Sequence, residues 1–186
     1  MPPPGEPTKR PEIAVVVPVY NEADNIEALL ARLTPVIERA ASSHVVVFVN
    51  DGSRDGTLEA LRRANAADER VKAVSFSRNF GKEIAIAAGL DHAEADAVVI
   101  MDADLQHPPE VIETFVAKWR EGYINIYGQR MDRETDPELR NFLTRVFYRL
   151  LDRFGDTSLP PGAGDFRLLD RQAVDRKSTR LNSSHT

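Results

Sequence analysis

Short apolar runs recur along the chain with amphipathic stretches between them. Residues 13–19, 45–49, 71–76 and 97–101 are β-branched or apolar runs bounded by polar turns, and each reads as a buried strand. Asn21 is placed to cap a helix running to about Ala40, with Asp24 near its first turn and Pro35 expected to kink or divide it. A polar turn over 50–56 leads into a helix near 57–67, and a further helix covers about 81–92. Pro108 and Pro109 open another, through about Arg120, as proline can in a first turn. Residues 124–127 form a weaker strand and 137–154 a long helical stretch. Strands alternating with helices predict an α/β fold, a mostly parallel sheet flanked by helices. No internal repeat is visible.

Composition narrows the function classes. The 186 residues are 42% hydrophobic and 28% charged, with a net charge of -5, an ordinary globular profile large enough for one buried core. The mild acidity argues against nucleic acid as a partner. There is no cysteine, so disulfides and thiolate chemistry are excluded. The apolar runs are all far shorter than the roughly 18–20 residues that cross a bilayer. Residues 1–11 are proline-rich and read as a flexible leader rather than a signal peptide. Residues 176–186 (RKSTRLNSSHT) change character abruptly and read as a non-native tail, which makes 12–175 a C-terminally truncated domain.

The candidate chemistry sits where strands end. The first strand runs into Pro18, Tyr20 and Glu22, the second into Asn50, Asp51 and Ser53, and the fourth into Asp102, Asp104 and Gln106. In a parallel sheet the carboxyl ends of strands carry the ligand site, so these clusters converge on one edge. Helix caps alone account for one or two such clusters, not for all of them. If the segment is extended, Asp102 and Asp104 point the same way. Paired carboxylates suit a hard divalent ion that keeps positions free for substrate phosphates. A lone Asp-x-Asp is more often a pair of solvated loop acids, but this one follows a buried strand directly. The first strand is followed by PVYNE and not by G-x-G-x-x-G, and there is no Walker A loop, so nicotinamide chemistry is not indicated.

VPVYNE (17–22), NDGSRDGT (50–57), RNFGKE (78–83), DADLQHPPE (102–110) and GAGDFRLLDR (162–171) occur in that order. Together they resemble glycosyltransferase family two with its Rossmann-like GT-A fold, and more narrowly its polyprenyl-phosphate glycosyltransferases. The resemblance covers about 13–175 and implies transfer of a hexose from a nucleotide-sugar donor, UDP-glucose or GDP-mannose, to a polyprenyl phosphate. It implies a Mg²⁺ or Mn²⁺ ion held by Asp102 and Asp104. Pro18, Tyr20 and Glu22 would line the nucleotide pocket, Asp51 would contact the nucleobase or ribose, and Gln106 would help organise the metal and diphosphate. Arg130 would face phosphate charge, and Asp165 and Arg167 would lie near the acceptor, with Asp104, Arg130 and Asp165 as the catalytic candidates. Asn50 departs from the commoner DDGS pattern and leaves Asp51 as the acid of its cluster. A cytoplasmic enzyme at the inner face of the membrane is implied, anchored through a C-terminal region missing here.

Other residues carry two readings. Arg78 and Lys82 either contact donor phosphates or are loop and helix-surface charges. His107 reads as a polar turn residue rather than a metal ligand, Trp119 as core, and Lys118 and Arg120 as a solvated helix end. Apolar residues of 137–154 form a stripe at helical spacing, with Arg140, Arg145, Arg149 and Arg153 on other faces. Periodicity alone favours a helix packed on the sheet; a lipid acceptor favours one lying on a membrane surface. The alternatives in function are transfer to a soluble glycan and a nucleotide-sugar binding fragment without turnover.

Overall fold

The computed structural model describes residues 10–128 and 166–175. The stretch 137–154, Arg130, Asp165 and both chain ends lie outside the described residues.

β1 (Ile13–Val19) is central: it pairs in parallel with β2 (His44–Asn50) on one side and β4 (Ala97–Ile100) on the other. A strand with both edges paired and both faces covered has no solvent side, so its sequence is a continuous IAVVVPV rather than an alternation. β3 (Val71–Ser75) lies parallel beside β2. Beyond β4 comes β6 (Arg167–Asp170), antiparallel to it, and then β5 (Asn125–Tyr127) at the edge, antiparallel to β6. The order is β3-β2-β1-β4-β6-β5, mostly parallel as the alternating pattern predicts. β6 is an addition to that pattern. Its four residues, RLLD, are too short to carry a periodicity.

α1 (Asn25–Ala40) buries Ile26, Leu29, Leu33, Val36, Ile37 and Ala40, a stripe at helical spacing. It packs between α2 (Thr57–Ala67) and α4 (Val111–Arg120), while α3 (Lys82–His92) lies against β1 and β2. On the α3 side Ala14, Val16, Val47, Val98 and Ile100 form one apolar cluster with Leu90, Ala93 and Val174. α3 approaches closely because Gly89 has no side chain. A Cβ there would meet Val16 Cγ1 at 2.3 Å and Val49 Cγ2 at 3.1 Å. Gly89→Ala is therefore expected to lose about 1–3 kcal/mol in urea unfolding through overpacking, although alanine is the better helix former.

Three local expectations are corrected. The first helix starts at Asn25, not after Asn21. Asn21 sits in the left-handed region at φ 56. Its Oδ1 accepts from the Arg54 N–H at 2.9 Å and its own N–H donates to Ser53 Oγ at 2.9 Å, so it ties two loops together instead of capping. Pro35 does not divide α1. An interior proline costs about 3 kcal/mol, and burying Leu33, Val36 and Ile37 around it returns about 1.5–3 kcal/mol for each side chain. Arg120 is more than a solvated helix end. It donates to the Ala40 carbonyl at 2.8 Å and to Glu12 Oε1 at 2.7 Å, satisfying the end of α1 and joining it to α4.

Candidate active site

After β1 the chain builds β2 and β3 on one side and then crosses to β4 on the other. The carboxyl ends of β1 and β4 thus flank a switch point, where open α/β sheets bind ligands. A cavity of about 470 Å³ lies there. Pro18, Tyr20 and Glu22 line it from the end of β1 and the loop that follows, and Asp51 from the end of β2. Lys82 lines it from the start of α3, and Asp102 and Asp104 from the loop after β4. Gln106 and Arg167 are not among its lining residues. Arg167 is buried in β6, paired with Ile100 and Tyr127.

The two aspartates reach the cavity by a turn. Met101 N–H donates to the Val16 carbonyl at 3.1 Å, carrying the β1 pairing one residue past β4. The chain then turns at Ala103 and Asp104, and Leu105 has φ 57. Ala103 is buried between the two acids. The pleat alternation of an extended segment is therefore not what aligns them. Asp104 Oδ1 accepts from the Gln106 N–H at 3.0 Å, which sets the turn. Asp102 Oδ1 stands 2.7 Å from Lys82 Nζ.

Asp51 has a structural duty. It is 4% exposed, and its carboxylate accepts from the Phe80 N–H at 2.7 Å and the Gly81 N–H at 2.9 Å. Its own N–H donates to the Val19 carbonyl at 2.9 Å. One acid thus fixes the segment that delivers Lys82. Charge-assisted bonds of this kind are worth about 1.5–3 kcal/mol each when buried. Asp51→Ala is expected to lose about 2–3 kcal/mol in denaturant unfolding and to speed hydrogen exchange at the Phe80 and Gly81 amides; unchanged exchange there would contradict it. Asn50 suits its place as an amide. It donates to Ser75 Oγ at 3.1 Å and accepts from the Ser53 N–H at 3.0 Å, bridging β3 and the turn. Next to this turn the Asp55 carboxyl is held below its ordinary range, chiefly by the Thr57 hydroxyl.

A smaller cavity of about 240 Å³ adjoins the first, shares Tyr20 and Asn79 with it, and is lined by Arg54 and Arg78. The Arg78 guanidinium lies over the Phe80 ring, 4.8 Å from its centre. His107 packs on Phe166 with ring centres 5.2 Å apart and is not among the residues lining the main cavity. Asn79, Gly81 and Ala85 line that cavity without having been singled out as site residues. Asn79 and Gly81 lie inside the RNFGKE segment, and small residues beside a charged one were the available signal. Among the described residues no group of three or more His, Asp or Glu side chains forms a ready cation cage. Asp102 and Asp104 alone fit an ion that takes its remaining oxygens from a diphosphate and water.

Residues 14–176 match the family model for glycosyl transferase family 2. An uncharacterized glycosyltransferase of Synechocystis sp. is 44% identical over 164 residues, covering 88% of this chain and 52% of the relative. A bactoprenol glucosyl transferase of Shigella phage SfV is 39% identical over 164 residues, covering 88% of this chain and 53% of the relative. The chain spans about half the length of these curated relatives. Among solved structures, the mannosyltransferase PcManGT from Pyrobaculum calidifontis, in complex with GDP-Man and Mn²⁺, is similar at a TM-score of 0.60 and 27% identity, covering 91% of this chain and 47% of that one. The architecture is the GT-A fold.

Proposed function

We propose that this chain, which belongs to glycosyl transferase family 2, carries the donor-binding part of an inverting hexosyltransferase whose acceptor is a polyprenyl phosphate. The observation that carries this is the cavity at the switch point, lined by Asp102, Asp104 and Lys82 together with Tyr20, Glu22 and Asp51. Two acids that would hold a divalent ion, with a lysine beside them, suit a diphosphate; the aromatic ring and the other acids suit a nucleoside. The lipid acceptor is supported by the bactoprenol glucosyl transferase relative; of the two candidate donors, UDP-glucose and GDP-mannose, the second is the one bound in the similar mannosyltransferase.

Asp102 and Asp104 would hold Mg²⁺ or Mn²⁺. When bound, the ion offsets the negative charge that develops on the departing diphosphate. An oxygen of the acceptor phosphate attacks the anomeric carbon from the face opposite the diphosphate. The bond from that carbon to the diphosphate oxygen breaks, and the configuration inverts. The acceptor is already an anion near neutral pH, so no proton has to be removed. Asp165 is accordingly assigned to positioning. Arg130 is assigned to the acceptor phosphate, a task suited to the guanidinium fork, and Gln106 supports the turn that carries Asp104. Such an enzyme works at the cytoplasmic face of a membrane. Among the described residues no helix is long and apolar enough to cross one.

Sugar transfer from each donor to a short polyprenyl phosphate, with a soluble glycan as the competing acceptor, tests the proposal. Transfer to the lipid phosphate is expected. Transfer to the glycan alone would move the chain to the polysaccharide-elongating branch of its family. Donor binding without transfer to either acceptor would leave it a binding fragment.

A further inference from the structure

We propose that Lys82 is an internal stand-in for the metal ion: it pairs with Asp102 and withholds that carboxylate until a nucleotide diphosphate draws the ammonium away. The proposal rests on the diphosphate and metal site argued above and adds an order of binding to it.

The ammonium of Lys82 lies 2.7 Å from Asp102 Oδ1, inside the cavity that Asp104 also lines. A cation at that distance takes the place a divalent ion would need on the same oxygen. The lysine is not there by chance of a floppy loop. Its backbone follows directly on Phe80 and Gly81, both held by the buried Asp51 carboxylate. Its side chain, by contrast, is a long flexible stem, 41% exposed, and can swing. A divalent ion entering alone must displace an ammonium and then sit close to it. A diphosphate entering with the ion offers that ammonium a new anionic partner in the same cavity. The exchange keeps the ammonium paired throughout: with Asp102 before binding and with the diphosphate afterwards, when the ion takes its place on the aspartate. Metal binding and nucleotide binding are then coupled, and by linkage each strengthens the other equally.

The test is titration of Mn²⁺ into wild type, Lys82→Met and Lys82→Arg by calorimetry and by the spin-resonance signal of free Mn²⁺, each with and without UDP and GDP. Thermal melting checks that each variant is folded. Lys82→Met is expected to bind Mn²⁺ alone up to about fivefold more tightly than wild type, the gain set by losing a partly exposed ion pair. It is also expected to bind nucleotide more weakly and to show reduced coupling between metal and nucleotide. Lys82→Arg keeps the charge and is expected to stay close to wild type in metal affinity. If Lys82→Met gains no affinity for Mn²⁺ alone while wild type binds it with a nucleotide, the stand-in role is overturned and the proposed donor site survives. If folded wild type binds Mn²⁺ neither alone nor with UDP or GDP, the metal site itself fails and the stand-in role fails with it.

Discussion

Asp102→Asn is expected to lower turnover by about 10²- to 10³-fold, the usual loss when one stabiliser of developing negative charge is removed. It should leave the fold nearly intact. Asparagine has the same size, and Asp102 is a cavity residue whose pairing with Lys82 is open to solvent, with side chains 27% and 41% exposed. An ion pair so placed contributes at most about 1 kcal/mol. The strand behind it does not depend on the carboxylate: Met101 is already hydrogen bonded to Val16, and Ala103 is buried. The variant should therefore melt close to wild type and yet fail to turn over with saturating donor and Mn²⁺. Wild-type turnover would remove Asp102 from the chemistry. A large drop in melting temperature would make it a structural residue.

Gly52→Ala is expected to do the reverse, costing stability first and donor binding as a consequence. Gly52 has φ 67, a conformation in which a side chain is strained. A Cβ there would also stand 2.3 Å from the Arg78 carbonyl carbon and 2.6 Å from its Cα. Those atoms are backbone, so relief requires moving the segment that Asp51 holds at Phe80 and Gly81. Strain and overpacking together give a loss of about 3 kcal/mol, read by urea unfolding. Displacing that segment also displaces Lys82, so nucleotide affinity should fall by about tenfold or more, the effect of losing one charge-assisted contact. An alanine variant as stable as wild type would show that the two turns do not meet as closely as described.

These two residues mark what was legible in the sequence. The central strands were, because β1, β2 and β4 are covered on both faces and so read as unbroken apolar runs. So was the place of the strand-end acids beside the cavity, since a strand fixes where its carboxyl end lies. Contacts between loops were not. Nothing in the order of residues says that Asn21 would bond Arg54, or that Asp51 would spend its oxygens on Phe80 and Gly81. Such bonds join positions about thirty residues apart, where periodicity carries no information. Lys82 had two equal readings in the sequence, which does not show that its ammonium stands 2.7 Å from Asp102 at the cavity. β6 was missed because its four residues gain strand character only from pairing with β4 and β5. Arg130 and Asp165 stay proposals, carried by the family resemblance.

The most direct measurement is a calorimetric titration of UDP-glucose and of GDP-mannose into the folded protein, with Mn²⁺ and with a chelator. The expected result is binding of one donor that requires the ion and is lost in Asp102→Asn. Failure of both donors to bind under either condition, or binding indifferent to the ion and to Asp102, would contradict a metal-assisted nucleotide-sugar site.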